Sequence, residues 1–99
     1  SPVQAVIIPI ADRHVEYCRK VQEQLLAAGL RVELDERPDR MNAKIRDAQK
    51  QKVPYMLVVG DQEQENSQVA LRLRSGENPG PMALDAFIAY ARKDMEEGN

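Results

Sequence analysis

The period of apolar positions changes several times along this chain, and each change marks an element. Val3 to Ile10 is a near-continuous apolar run rich in β-branched residues, closed by Pro9 and Asp12; it reads as a strand buried on both faces. Val15, Cys18, Val21, Leu25 and Ala28 then recur every three or four positions, which predicts an amphipathic helix. Asp12 is the expected N-cap, and Gly29 the left-handed residue that ends the helix, with Leu30 as the following apolar contact. Leu30, Val32 and Leu34 alternate with polar residues, so this segment reads as a half-exposed strand at or near a sheet edge.

The next helix is predicted from Pro38, whose fixed φ suits a first helical position. Met41, Ile45 and Ala48 form its apolar stripe, with Arg46 and Lys50 on an outer face. Pro54 closes a turn, and Tyr55 to Val59 is a second fully apolar strand that stops at Gly60-Asp61. The polar segment from Gln62 to Gln68 reads as a loop, and Val69 to Arg74 as an alternating strand returning antiparallel. Asn78-Pro79-Gly80-Pro81 signals a turn. Leu84, Phe87, Ile88, Ala91 and Met95 mark a closing helix with a polar, frayed end at Glu96 to Asn99.

This order predicts one α/β domain over residues 1–99, a three-layer α/β/α sandwich with three helices. Its sheet is expected to be mixed, mostly parallel and of four to five strands, with the first and third strands central. A chain of 99 residues suits a single core. Its Ser-Pro start without methionine reads as a segment of a longer protein.

Net charge of −2 argues against a broad electrostatic grip on duplex nucleic acid but permits recognition of a few exposed bases. Charge is uneven: Arg37 to Lys52 holds six basic and two acidic residues, whereas Asp61, Glu63 and Glu65 crowd one loop. By composition alone these runs are also what a solvated helix face and a solvated turn look like. The longest apolar runs are too short to span a bilayer, and the lone cysteine rules out an internal disulfide.

A zinc site needs about four Cys, His or carboxylate ligands, and one cysteine and one histidine do not suggest one. Cys18 falls in the apolar stripe of the first helix and reads as a core residue, and His14 as a packed surface residue of its first turn. No nucleophile elbow, phosphate loop or metalloprotease motif occurs. Binding is better supported. In open α/β sheets ligands favour the carboxyl ends of strands, and Asp35 to Arg37 and Gly60 to Glu65 should both open there. Arg72 is expected near them, on the face opposite Val69, Leu71 and Leu73. Carboxylates beside guanidinium groups suit unstacked bases, which proteins read by their edges.

Several ordered motifs carry a resemblance: VIIPIADRHVEY, AGLRVELDER, KIRDAQKQKVPYMLVVGDQE, VALRLRSG and PMALDAFI. Across nearly the whole chain they resemble the C-terminal anticodon-binding domain of threonyl-tRNA synthetase, a class II fold shared with the prolyl, histidyl and glycyl enzymes. The resemblance implies a domain cut from the C-terminus of a cytoplasmic, homodimeric ligase, binding the anticodon loop of threonine tRNA and packing against the parent's other domains. ATP, magnesium and zinc would belong to the parent, with no cofactor or catalytic group in this domain and no membrane partner. Threonine anticodons end in G and U. By resemblance Glu63 and Arg72 sit at base-reading positions, with Arg37, Lys44, Arg46 and Arg74 as further RNA contacts. A third reading position, usually Asn, is Pro38 here, leaving Arg37 or Asn42 to compensate. Met82-Ala83 stands where the family usually caps the last helix with Ser or Thr, so that end is expected to fray. Two other readings fit the same residues: a stand-alone or accessory paralogue of the domain, and a small flavodoxin-like interaction module without RNA binding.

Overall fold

The computed structural model describes residues 3–98. Strand β1 (Ala5–Pro9) leads through a 3-10 turn (Asp12–His14) into α1 (Val15–Ala27), then β2 (Val32–Leu34), α2 (Met41–Lys50) and β3 (Tyr55–Val59). A short helix α3 (Asp61–Glu65) follows, then β4 (Gln68–Leu73), β5 (Gly80–Ala83) and α4 (Leu84–Gly98). The sheet runs β2-β1-β3-β4-β5, with β1 parallel to both β2 and β3, and β4 antiparallel to β3 and β5. The three-layer mixed sheet is as expected, with β1 and β3 internal. Its pairings divide evenly, two parallel and two antiparallel, where a parallel majority is expected, because the chain returns through β4 and β5 as antiparallel neighbours.

The alternation of side chains along each strand sorts the core into two halves. Ile7, Leu57 and Leu71 pack with Cys18, Leu25 and Phe87 on the face covered by α1 and α4. Ile8, Met56 and Val58 pack with Ile45 and Ala48 of α2 on the other. Among the described residues only one helix covers that second face. Gln68, Ala70 and Arg72 on β4 stay half-buried there, and Pro81 and Ala83 on β5, paired with Ala70 and Gln68, are exposed. That half of the sheet face lies open.

Helix ends follow backbone chemistry. Gly29 takes φ +90°, and the N–H groups of Leu30 and Gly29 donate to the carbonyls of Leu25 and Leu26, both at 3.0 Å. This double closure satisfies carbonyls the helix would otherwise orphan. The same closure ends α2, with Lys52 at φ 63° in the left-handed position and Val53 N–H donating to Ala48 at 3.0 Å. A Cβ there is strained by roughly 1–2 kcal/mol, partly offset by the greater unfolded freedom of glycine. Lys52→Gly should therefore raise stability by about 0.5–1 kcal/mol in urea denaturation. A loss would show that the lysine side chain contributes more than the strain costs.

Four other expectations need correction. Helix α2 starts at Met41, not Pro38, because residues 37–39 are held in bends by ion pairs described below. The acidic loop contains α3, a fourth helix. Asp12 opens the 3-10 turn instead of capping a helix, with Ala11 at the cap position. Met82 and Ala83 lie in β5, and α4 runs from Leu84 through Gly98 without fraying from Glu96. Ser1, Pro2 and Asn99 lie outside the described residues. No helix among the described residues is long and apolar enough to cross a membrane.

Candidate nucleic-acid interface

Because β1, β2 and β3 are parallel, their carboxyl ends open on one edge. Gly60 follows β3 there, and the Ile10 N–H extends the ladder by donating to the Val59 carbonyl at 2.9 Å. Ile10 is 52% exposed and packs so close to Gly60 that a Cβ at that glycine would sit 2.8 Å from its Cδ1. A groove of about 250 Å³ lies between Pro9 and Ile10 on one side and Arg37 and Pro38 on the other. Ile10 thus presents an apolar wall at the polar edge. Nothing in the sequence pattern marks it, since it continues a buried run.

Glu63 is the third residue of α3 and half-buried, and its Oε1 accepts from the Gly60 N–H at 2.8 Å. The carboxylate thereby closes the helix start, which explains why five polar residues without apolar period form a helix at all. Each carboxylate oxygen has two lone pairs, so Oε2 and the second pair of Oε1 remain to accept from a ligand.

Arg72 lies on the expected face, paired with Met56. Its level along the strand is not the expected one. Gln68, at the start of β4, is the residue beside the Gly60 edge, and Arg72 sits four residues on, about 13 Å away at strand spacing. Glu63 and Arg72 therefore stand at different levels, Glu63 at the carboxyl edge and Arg72 further along β4.

The other expected contacts separate sharply. Lys44 is 4% exposed, and its Nζ donates to the Asp35 carbonyl at 2.9 Å, so its ammonium is bound within the protein. The helical spacing of 41, 44, 45 and 48 places it on the inner stripe, a signal present in the sequence. Arg37 donates to Asp35 at 2.8 and 2.9 Å and to Asp47 at 2.9 Å, with Asp39 at 3.6 Å. These hydrogen bonds raise the guanidinium pKa above its ordinary value and lower that of the Asp35 carboxyl. Arg37 is the hub that pins residues 37–39 to α2, and three carboxylates around it disfavour an incoming phosphate. Arg46 and Asn42 are exposed on α2. Arg74 is exposed at the far end of β4, its Nη1 donating to the Lys52 carbonyl at 3.1 Å.

His14, expected at the surface, is 2% exposed. Its buried ring is satisfied by Asp61, far away in sequence, which accepts from it. Cys18 is fully buried, and desolvation pushes its thiol up to about 12. At neutral pH it stays protonated and inert. The native chain should therefore leave an aromatic disulfide reagent unreacted and titrate one thiol on unfolding; rapid native labelling would contradict the packing.

Among the described residues no group of three or more His, Cys, Asp or Glu side chains is placed to hold a metal ion. What the fold offers is a set of donors and acceptors at strand ends and on an open sheet face, the equipment of a binding module. The chain matches the family model for the anticodon binding domain over residues 4–94 and belongs to that family. It is 52% identical over 93 residues to a threonine–tRNA ligase of Sulfurihydrogenibium sp. strain YO3AOP1, covering 94% of this chain and 14% of that protein. The threonine–tRNA ligase of Aquifex aeolicus is 49% identical over 96 residues, covering 97% of this chain and 15% of that protein. The chain thus spans about one seventh of the length of these relatives. The RNA binding domain of threonyl-tRNA synthetase from Cryptosporidium parvum Iowa II superposes with a TM-score of 0.88 at 34% identity, over 94% of this chain and 24% of that one. Histidyl-tRNA synthetase from Nostoc sp. PCC 7120 shares the fold at TM-score 0.88 and 24% identity, over 96% of this chain and 23% of that one. The reading as an unrelated flavodoxin-like module is set aside.

Proposed function

We propose that this chain is the tRNA-reading domain of a threonine–tRNA ligase and that it recognises the G and U of the threonine anticodon. The observation that carries this is the 52% identity, over nearly the whole chain, to one segment of a threonine–tRNA ligase. Chemistry at the edge supports it. The Glu63 carboxylate can accept from N1–H and the exocyclic amine of guanine, and Arg72 can donate to O6, N7 or the O4 of uracil. Ile10 gives a base an apolar surface to lie against. Aminoacylation, with its ATP, magnesium and zinc, belongs in this proposal to the rest of a dimeric, cytoplasmic parent enzyme.

The test is binding of threonine-anticodon stem-loops to the chain, with hairpins altered at the G or the U as competitors. Preference for G and U supports the reading. Equal affinity for all hairpins points to a paralogue that keeps the fold and not the code. With a net charge of −2, binding should weaken only modestly with salt.

A further inference from the structure

At the ends of β1 and β3, Arg13, His14 and Asp61 form a cluster that the base-edge contacts above do not use. The buried His14 ring is held at both nitrogens. Its Nδ1 accepts from the Ala11 N–H at 3.1 Å, so the proton sits on Nε2, which donates to Asp61 Oδ1 at 2.6 Å. From the solvent side, Arg13 grips the same carboxylate in bidentate fashion, Nε to Oδ1 and Nη2 to Oδ2, both at 2.9 Å.

We propose that Arg13, His14 and Asp61 are positioning residues that fix the orientation of α3 and so aim the Glu63 carboxylate at the anticodon guanine. The inference rests on the base-reading role given to Glu63 above. Helix α3 has five residues and none of them is buried, so it has no apolar anchor of its own and is far too short to be stable alone. Apart from the Glu63 cap onto Gly60, its side-chain hydrogen bonds to the fold among the described residues run through Asp61. Asp61 opens the helix and Glu63 lies two residues on, so any rotation of the first turn moves both carboxylates together.

The clamp is stiffer than an ordinary surface pair. An exposed Arg–Asp bridge contributes little, and Asp61 is 67% exposed. The imidazole N–H beneath it is different, because a buried donor that loses its acceptor is costly. His14 thus gives Asp61 one favoured place, and Arg13 fixes its plane. The Arg13 hydrogen bond, followed by that from His14, holds the Asp61 carboxyl well below the usual carboxylate range. Asp61 is therefore ionised and paired at neutral pH, both of its oxygens engaged within the clamp.

The test compares a threonine-anticodon stem-loop carrying G with one carrying inosine, which lacks the exocyclic amine. The readout is the G/inosine affinity ratio, measured where denaturation curves show each variant folded. His14→Ala should reduce the ratio by about threefold or more, as expected for coupled neighbours. His14→Gln, which can still donate to Asp61, should restore much of it. In a Glu63→Gln background His14→Ala should change the ratio no further. Arg13→Ala alters only an exposed side chain, so it reports on the clamp even if His14→Ala fails to fold, and it should also lower the ratio. If Glu63→Gln lowers the ratio while Arg13→Ala and every folded His14 variant leave it unchanged, the positioning role is overturned and the reading of Glu63 stands. If Glu63→Gln itself leaves the ratio unchanged, the reading of Glu63 falls, and the inference with it. An equal loss on His14→Ala in both backgrounds would show that the clamp acts on binding by another route.

Discussion

Arg72→Ala is expected to lower discrimination at both the G and the U of the anticodon by about 1–3 kcal/mol each, while Glu63→Gln lowers it at the G alone. The two residues differ in what a substitution disturbs. The Arg72 side chain is half-buried on the face with only one covering helix, opposite Met56, so its loss removes donors with little packing. Glu63 also closes α3 through the Gly60 N–H, and alanine there would remove a cap worth about 0.5–2 kcal/mol. Glutamine keeps an oxygen for that bond and turns the other acceptor into a donor, which isolates base reading from stability. Fluorescence anisotropy with hairpins altered at one base at a time separates these effects. Lys50→Ala, on the exposed face of α2, serves as the control and should change little. A uniform loss of affinity for every hairpin would mean that Glu63 and Arg72 hold the backbone and read no base.

Phe87→Ala should cost about 3–5 kcal/mol of unfolding free energy, as for other buried aromatic truncations. Phe87 has no exposed surface and stands edge-on to Tyr55, with ring centroids 5.6 Å apart and planes at 80°. Tyr55 in turn stands edge-on to Tyr90 and donates its hydroxyl to Asp94 on the same helix. The ring therefore links α4 to the central strand β3, and its removal leaves a cavity where little can relax inward. Equilibrium urea denaturation measures the loss, and a value below about 2 kcal/mol would show that α4 repacks over the gap.

Elements with a local cause are legible in the sequence, and those caused by distant partners are not. Strands β1 and β3 announce themselves because a strand covered on both faces must be apolar at every position. Gly29 reads correctly because only a left-handed residue lets Leu30 fold back onto Leu25. Helix α3 has no apolar period, and its start depends on a carboxylate turning back to Gly60. Pro38 looks like a helix start in isolation, yet Arg37 gathers Asp35, Asp39 and Asp47 and delays the helix to Met41. The face of Arg72 follows from alternation along β4. Its level follows from the register with β3, which α3 sets and no pattern within VALRLR encodes. His14 reads as a surface residue until Asp61 arrives from the end of another strand.

The two outermost strands of the sheet are short. β2 has three residues, and β5 has four, one of them Pro81, which offers no amide hydrogen. Such edges are poor templates for another chain to add to, in aggregates or in the strand-addition mode by which many domains capture extended peptides. The fold has closed the route that an exposed sheet leaves open to proteins, while half of one sheet face and the strand ends stay available to flat partners that need no backbone ladder.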